Sequence, residues 1–325
     1  MRRTIGAMTT DRPSTRSAGS AWWNGLLGIA IFSASLPATR IAVASLDPFF
    51  LSAARAAIAG VLALLLLRVN RTPLPQRADV PGLAVTALGC VLGFPLCTAL
   101  ALRYVDSAHA IVFTGLLPVM TAIFGVLRAH DRPRPLFWIG SLAGAAVIAA
   151  YILRAGATLS PQGDGLMLLA IVVCGLGYAE GGRLSRRLGG WQVICWALVL
   201  SLPFAVVLAV WLWPAHLASV TWSGWAALGY VSLFSMLIGF VFWYRALALG
   251  GVASIGQLQL LQPFMGLALA ALLLGERIEP ALLGATLLVV ACVALARRYA
   301  APARPSTAVR RVPDRAAVGV QSGHD

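Results

Sequence analysis

Apolar residues in this chain come in long, nearly unbroken runs, not in the alternation of a half-buried strand or the single apolar stripe of a soluble helix. A bilayer core about 30 Å thick is crossed by roughly 20 apolar residues of helix. Ten runs approach that length, over residues 22–44, 49–67, 80–102, 107–127, 136–153, 165–182, 191–213, 223–244, 252–274 and 280–295, punctuated by Arg, Pro and Gly. The pattern predicts an all-α integral membrane protein with ten transmembrane helices. Connections such as Leu46-Asp47-Pro48 are short and leave no room for an extramembrane catalytic domain. Residues 1–20 and 300–325, rich in Arg, Pro, Ser and Thr, are expected as disordered tails. Ala42-Val43-Ala44 imitates a signal-peptide cleavage site, but the run before it is about 20 residues against the usual 7–15, so the first span is expected to be retained.

Composition agrees with the runs. Of 325 residues, 59% are hydrophobic and 11% charged, far below the roughly 25% charged residues of a soluble domain. A net charge of +14 would point to nucleic acid in a soluble protein. Here all 25 basic residues are arginines lying between apolar runs, so no nucleic-acid partner is expected. With the N-terminus inside, 20 arginines fall on inner segments, three (Arg103, Arg154, Arg277) fall outside, and Arg40 and Arg55 lie within spans. That bias predicts a multi-pass protein of a bacterial inner membrane with both termini cytoplasmic. The five cysteines lie in apolar runs without CxxC spacing. His130 and His216 have no acid or serine at catalytic spacing, and no P-loop or zinc pattern occurs, so neither an enzyme nor a metal or cofactor is expected.

Set against itself at an offset of 145, the chain aligns Ala101 with Ala246, Pro118 with Pro263, Met120 with Met265, Arg132 with Arg277 and Pro135 with Pro280, while Asp131 meets Glu276. A weaker match at offset 143 sets Arg40 against Arg183. Two five-helix halves follow, over residues 21–153 and 165–297. An odd number of spans per half inverts the second relative to the first, an arrangement that offers two access states around a midplane site.

These features resemble the EamA-type transporters of the drug/metabolite transporter superfamily over residues 21–297. The resemblance rests on the ten spans, the duplication, Pro48 followed by Arg55, Ala101-Leu102-Arg103-Tyr104 leading to Pro118, and Leu274-Gly275-Glu276-Arg277 before the last span. Ala129-His130-Asp131-Arg132 departs from that last pattern by losing the glycine. The resemblance implies export or exchange of small metabolites, often amino acids, by secondary transport without a cofactor.

Within the spans, Glu180 is the most informative residue, because an acid at that depth needs a cavity or a partner. It reads either as a proton-coupling or amine-binding carboxylate, or as the ion-pair partner of Arg183 one turn away. Gln259, Gln262, Pro263 and Gly266 share one helical face, and Thr114, Pro118 and Thr121 form the corresponding stripe in the first half. Either stripe lines a substrate cavity or hydrogen-bonds helices together. Ser33, Pro37 and Arg40 share a face of the first span. Arg40 and Arg55 lie near the outer boundary, where snorkelling to headgroups is favoured over contact with a substrate carboxylate. Arg103, Asp106 and His109 read as a solvated outer rim.

Trp22, Trp23, Trp138, Trp191, Trp211, Trp213, Trp222, Trp225 and Trp243 read as interfacial anchors, whereas Trp196 lies deeper, and Tyr178 and Tyr244 combine a ring with a hydroxyl. The expected substrate contacts are therefore Ser33, Arg40, Thr114, Tyr178, Trp196, Gln259 and Gln262. Glu180 is the expected proton-coupling group, and Pro37, Pro118 and Pro263 are the expected hinges. The expected partners are a small-molecule substrate, the lipid bilayer and protons, with the chain a monomer or homodimer. A membrane sensor or structural protein, and a lipid-modifying enzyme, are the alternatives from other classes. The enzyme would need a paired His, Asp or Ser constellation at one interface, and none is visible in the sequence.

Overall fold

Proline at helix position i removes the N–H that bonds the carbonyl of residue i−4. That rule accounts for the helix breaks ahead of Pro37, Pro118 and Pro263. A computed structural model describes residues 15–129, 134–154, 160–215, 220–275 and 280–298. Residues 1–14 and 300–325 of the expected tails, His130 and His216 lie outside the described residues, as do the acid–Arg pairs of the two matched loops. Residues 15–20, expected in the disordered N-terminal tail, instead continue the helix of the first apolar run toward the N-terminus. The first segment is α1 (Thr15–Ser33) followed, after an interruption at Ala34, by α2 (Ser35–Val43), which contains Pro37. The second is α3 (Pro48–Val69), N-capped by Asp47, whose side chain accepts from the Phe49 and Phe50 amides. The third joins α4 (Val80–Thr86) through a π-helical stretch, Ala87–Gly93, to α5 (Phe94–Ala101). The fourth is broken at Gly115–Leu116 between α6 (Ser107–Thr114) and α7 (Leu117–Ala129), just ahead of Pro118. The fifth is α8 (Pro135–Arg154).

The second half repeats the π stretch and the break ahead of a proline, while the interruption at Ala34 has no counterpart in its first helix. After α9 (Pro161–Leu188) and α10 (Gly190–Trp211), α11 (Trp222–Tyr230) continues through a second π-helical stretch, Val231–Ile238, into α12 (Gly239–Gly250). The ninth segment runs from α13 (Val252–Gly256) through a 3₁₀ stretch, Gln257–Leu261, into α14 (Gln262–Leu274), with Pro263 in its first turn. The last is α15 (Pro280–Arg298). The two π stretches, Ala87–Gly93 and Val231–Ile238, and the breaks ahead of Pro118 and Pro263 all recur at the 145-residue offset to within a residue or two. α14 ends at Gly275 in the left-handed region at φ 62°, where glycine stops a helix without a Cβ clash.

Among the described residues, seven helical segments are long and apolar enough to cross a membrane. They correspond to predicted spans 1–4 and 6–8. The other three predicted spans fall on α8, on the interrupted ninth segment with an apolar stretch at Leu258–Leu274, and on α15 with one at Leu283–Cys292. The sixth and eighth segments reach Leu188 and Gly250, six residues beyond their expected ends at 182 and 244. Large apolar side chains cover the outside: on α10, Phe204, Val207, Val210 and Trp211 are all exposed. This surface is unsuited to water and suited to lipid.

Packing follows the repeat. Segments 2 and 7 pack on each other, as do 4 with 9 and 5 with 10, while the pairing of 1 with 8 is matched by that of 6 with 3. Segments 4 and 6, 6 and 8, and 1 and 9 also pack on one another, and small residues let helices meet. Gly89 and Gly177 face each other so closely that a methyl on Gly89 would lie 2.5 Å from the Val173 carbonyl oxygen. Segments 4 and 6 are tied at one end by His109 Nε2 and Asp164 Oδ1 at 2.8 Å and at the other by Arg128 and Glu180. They therefore run parallel.

Candidate functional site

Buried hydroxyls in this bundle are mostly satisfied within their own helix. Ser33 donates to the Ile29 carbonyl at 2.7 Å, Ser52 to Pro48, Thr86 to Gly82, Ser185 to Gly181, Ser201 to Ala197 and Ser232 to Leu228. Such back-bonding lets a polar side chain lie in an apolar interior without a tertiary partner. Against that background the unsatisfied groups stand out. Among the described residues the Gln259 side chain is fully buried with both its amide nitrogen and its oxygen unpartnered, and Thr121 Oγ1, Trp243 Nε1 and Arg55 Nε are likewise buried without a partner, as are Gln192 Oε1 and Asp164 Oδ2. Leaving such a group dry costs about 1–3 kcal/mol each.

Thr121 is on α7 and Gln259 is in the 3₁₀ stretch of the ninth segment, which packs on α7 and α1. Among the described residues, a methyl built on Gly256 would have Thr121 Cγ2 within 4 Å, at 3.6 Å. Gln262 is 8% exposed and Pro263 and Gly266 are buried, while Leu261 and Met265 face out. The polar face predicted for this segment thus points inward despite the switch to 3₁₀ geometry. The Ser33 carbonyl, which the ring nitrogen of Pro37 cannot bond, faces Gly266: a methyl there would stand 3.4 Å from it.

Trp243 belongs to an aromatic cluster, not to an interfacial belt. Its ring is fully buried, tilted on Tyr178 at 5.5 Å and edge-on to Phe32 at 6.3 Å, with Phe240 joining at 5.0 Å from Phe32. The expectation of an anchor failed because the eighth helix runs on to Gly250, which draws Trp243 about 10 Å in from its end. Trp211 and Trp222 are exposed at segment ends as anchors should be. Tyr244 donates to the Gly177 carbonyl at 3.1 Å and lies 3.3 Å from Cys90 Sγ, so its hydroxyl ties segments 8, 6 and 3. Trp196 is half-buried against the core, and Thr114 donates to the Ile111 carbonyl at 2.6 Å.

The charged residues fall into distinct groups. Glu180, fully buried, accepts from Arg183 Nη2 at 2.5 Å and from Arg128 Nε at 3.0 Å. The pair with Arg183 is the one that spacing anticipates, whereas Arg128, from the first half, is a tertiary partner. Gly82 makes room for this carboxylate, since a methyl there would meet Glu180 Oε1 at 2.5 Å. Arg187 pairs with the buried Asp79 at the same end of the bundle. At the other end, Asp106 caps α6 through the His109 amide at 2.7 Å, and His109 reaches Asp164, so this residue is tied between segments instead of lying on a solvated rim. Arg40 also departs from expectation: it donates to the Leu102 and Val105 carbonyls, closing the end of α5, and does not snorkel. Arg55 is buried, not directed to headgroups. Among the described residues no cluster of His, Cys, Asp and Glu could hold a metal ion.

Comparison with known proteins places this architecture. The model of the EamA-like transporter family matches residues 20–153 and again 161–298. A relative in Bacillus subtilis (strain 168), named "Uncharacterized transporter YdeK", is 58% identical over 281 residues, covering 86% of this chain and 98% of the relative. A more distant one in Streptantibioticus cattleyicolor, named "Probable terminal-alkyne amino-acid exporter", is 27% identical over 289 residues, covering 86% and 94%. A solved structure described only as the crystal structure of a protein shares the fold, with a TM-score of 0.65 at 21% identity over 85% of this chain and 98% of its own. With a family model matched twice along its length, this multi-pass membrane chain belongs to the EamA-like transporter family, within the drug/metabolite transporter superfamily.

Proposed function

We propose that the chain is a secondary carrier that moves a small polar metabolite, with an amino acid or related compound as the favoured solute class, by alternating access. The observation that carries this reading is the set of buried, unpartnered polar groups on Thr121, Gln259 and Trp243. In a bundle whose other buried hydroxyls are internally satisfied, these groups suit a solute that completes their hydrogen bonds. The distant relative's name supports the solute class.

Ten crossings in two inverted halves are part of the same proposal. Segments 4 and 6 run parallel, so α8 between them must return across the same thickness. The exchanged pairings of segments 1 with 8 and 6 with 3 suit an inverted pair. One chain then holds a complete pathway, alone or within a homodimer. Both termini lie in the cytoplasm, Asp79, Arg128, Glu180, Arg183 and Arg187 lie at the cytoplasmic end of an inner-membrane protein, and the direction of transport is export. Pro37, Pro118 and Pro263 mark the points where rocking of the halves is absorbed.

Glu180 couples transport to protons in this scheme. Its carboxylate holds Arg128 of the first half against Arg183 of the second, and a proton taken up there weakens both bonds and lets that end open. Glu180→Gln keeps the shape and mimics the protonated form. Exchange of solute is expected to continue in this variant, while stimulation by a pH gradient is lost; unchanged gradient dependence would remove Glu180 from the coupling role. Export itself is tested in cells fed dipeptides, whose hydrolysis loads the cytoplasm with amino acids. Cells producing the chain should release at least one amino acid faster than cells without it, and equal release of every amino acid would count against the solute class.

A further inference from the structure

Arg55 is the eighth residue of α3, about 10 Å along the helix from its Pro48 end. Side chains on a helix lean toward its N-terminus, so a snorkelling arginine here would reach past Pro48 into the headgroups. Instead Arg55 is 3% exposed. Asp47, the nearest acid in sequence, is occupied by the Phe49 and Phe50 amides at 2.9 and 3.1 Å. Among the described residues no carboxylate lies within ion-pair distance of Arg55, whereas Arg128, Arg183 and Arg187 each have one. Among the described residues its hydrogen bonding is confined to one long contact, from Nη2 to Ser235 Oγ at 3.4 Å, and Nε has no acceptor.

The surroundings add further polar groups. Ser235 Oγ lies 2.9 Å from Ser35 Oγ. Ser35 opens α2 just after the interruption at Ala34, and Ser235 lies within the π-helical stretch Val231–Ile238. Three segments thus bring a guanidinium and two hydroxyls together where two of them leave regular α geometry, a feature common at functional sites. A buried cation without a counter-charge is costly, and the planar fork of a guanidinium matches a carboxylate through two parallel hydrogen bonds.

We propose that Arg55, flanked by Ser35 and Ser235, binds the carboxylate of the transported solute. The inference rests on the carrier reading above and narrows it. The solute is a small organic acid, such as an amino acid, and neither a neutral sugar nor a simple amine.

The test measures binding separately from transport. The purified protein in detergent is titrated with each of the common L-amino acids, with the corresponding amino-acid amides, and with chloride and phosphate, following the thermal unfolding midpoint and tryptophan fluorescence. At least one amino acid should raise the midpoint saturably, and its amide, which keeps the shape but loses the charge, should not. Arg55→Gln should weaken that binding roughly 10–100-fold, the loss expected for a charged hydrogen-bonded pair. Arg55→Lys should restore part of it, and Arg55→Met serves where the glutamine variant fails to fold by size-exclusion profile.

An amide that binds as tightly as its acid, or a folded Arg55→Gln protein of unchanged affinity, would overturn the assignment. Stabilisation by chloride or phosphate but by no carboxylate would overturn it in favour of an inorganic-anion site. If uncharged solutes alone exchange across vesicles of the wild-type protein, the carrier reading survives and the carboxylate site falls. If no solute exchanges, the carrier reading itself fails.

Discussion

Gly89→Leu is expected to destabilise the folded protein by about 3 kcal/mol, at the upper end of what overpacking costs. At this crossing of segments 3 and 6 the neighbours of an added Cβ are backbone: the Val173 carbonyl oxygen at 2.5 Å, Gly177 Cα at 2.9 Å and Gly177 N at 3.0 Å. A flexible side chain can turn aside, but two helices in contact must separate. That separation would also pull on Cys90 and Tyr244, which bridge the same crossing. Thermal unfolding in detergent checks the expectation, with Gly229→Ala as the control, because a methyl at Gly229 meets nothing within 4 Å. The control should be neutral or slightly stabilising, since alanine is the better helix former. Equal midpoints for Gly89→Leu and the wild type would mean that the two helices do not meet as described.

Trp243→Ala should cost about 3–5 kcal/mol, the range for emptying a large aromatic site in a packed core. Trp243 is fully buried against Tyr178 and Phe32, so the cavity cannot fill with lipid without disturbing segments 1, 6 and 8. Trp243→Phe separates packing from polarity. It keeps most of the aromatic volume, and because Nε1 has no acceptor among the described residues, no hydrogen bond among them is lost. Its stability cost should stay below about 1.5 kcal/mol. If Nε1 faces the solute, as the carrier reading holds, the same variant should raise the KM for exchange with little change in unfolding midpoint. A phenylalanine variant as unstable as the alanine one would show instead that Nε1 has a structural partner.

Much of the fold was legible because its main irregularities have local causes. Pro37, Pro118 and Pro263 each follow a helix interruption, which the missing proline N–H favours although Pro203 lies within the unbroken α10, and Glu180 has the Arg183 partner that i, i+3 spacing offers. The inward polar face of Gln259 and Gln262 also followed from helical periodicity. What the sequence hid was tertiary. Arg128 reaches Glu180 from 52 residues away and Asp164 meets His109 from 55 residues away, and no periodicity encodes either contact. The π stretches left no signature in the apolar runs that contain them. Trp243 was misplaced by a six-residue error in a helix end. Arg55 was misread for a different reason: a single charge near the end of an apolar run looks the same whether lipid or protein surrounds it, and only the packing of segments 1 and 8 decides. One cue was nonetheless present, since Arg55 is the only charged residue between Asp47 and Arg68.

The central claim is that one chain carries a solute through the membrane, and counterflow in proteoliposomes tests it most directly. Vesicles holding the purified protein are preloaded with a mixture of unlabelled amino acids, and uptake of each labelled member is followed with and without an inward-acid pH gradient. The account predicts saturable exchange of one chemically related group of amino acids, absent from protein-free vesicles. No exchange of any amino acid by protein shown to be folded, under either condition, would contradict the amino-acid class, and no exchange when the vesicles are loaded with uncharged metabolites as well would contradict the carrier itself.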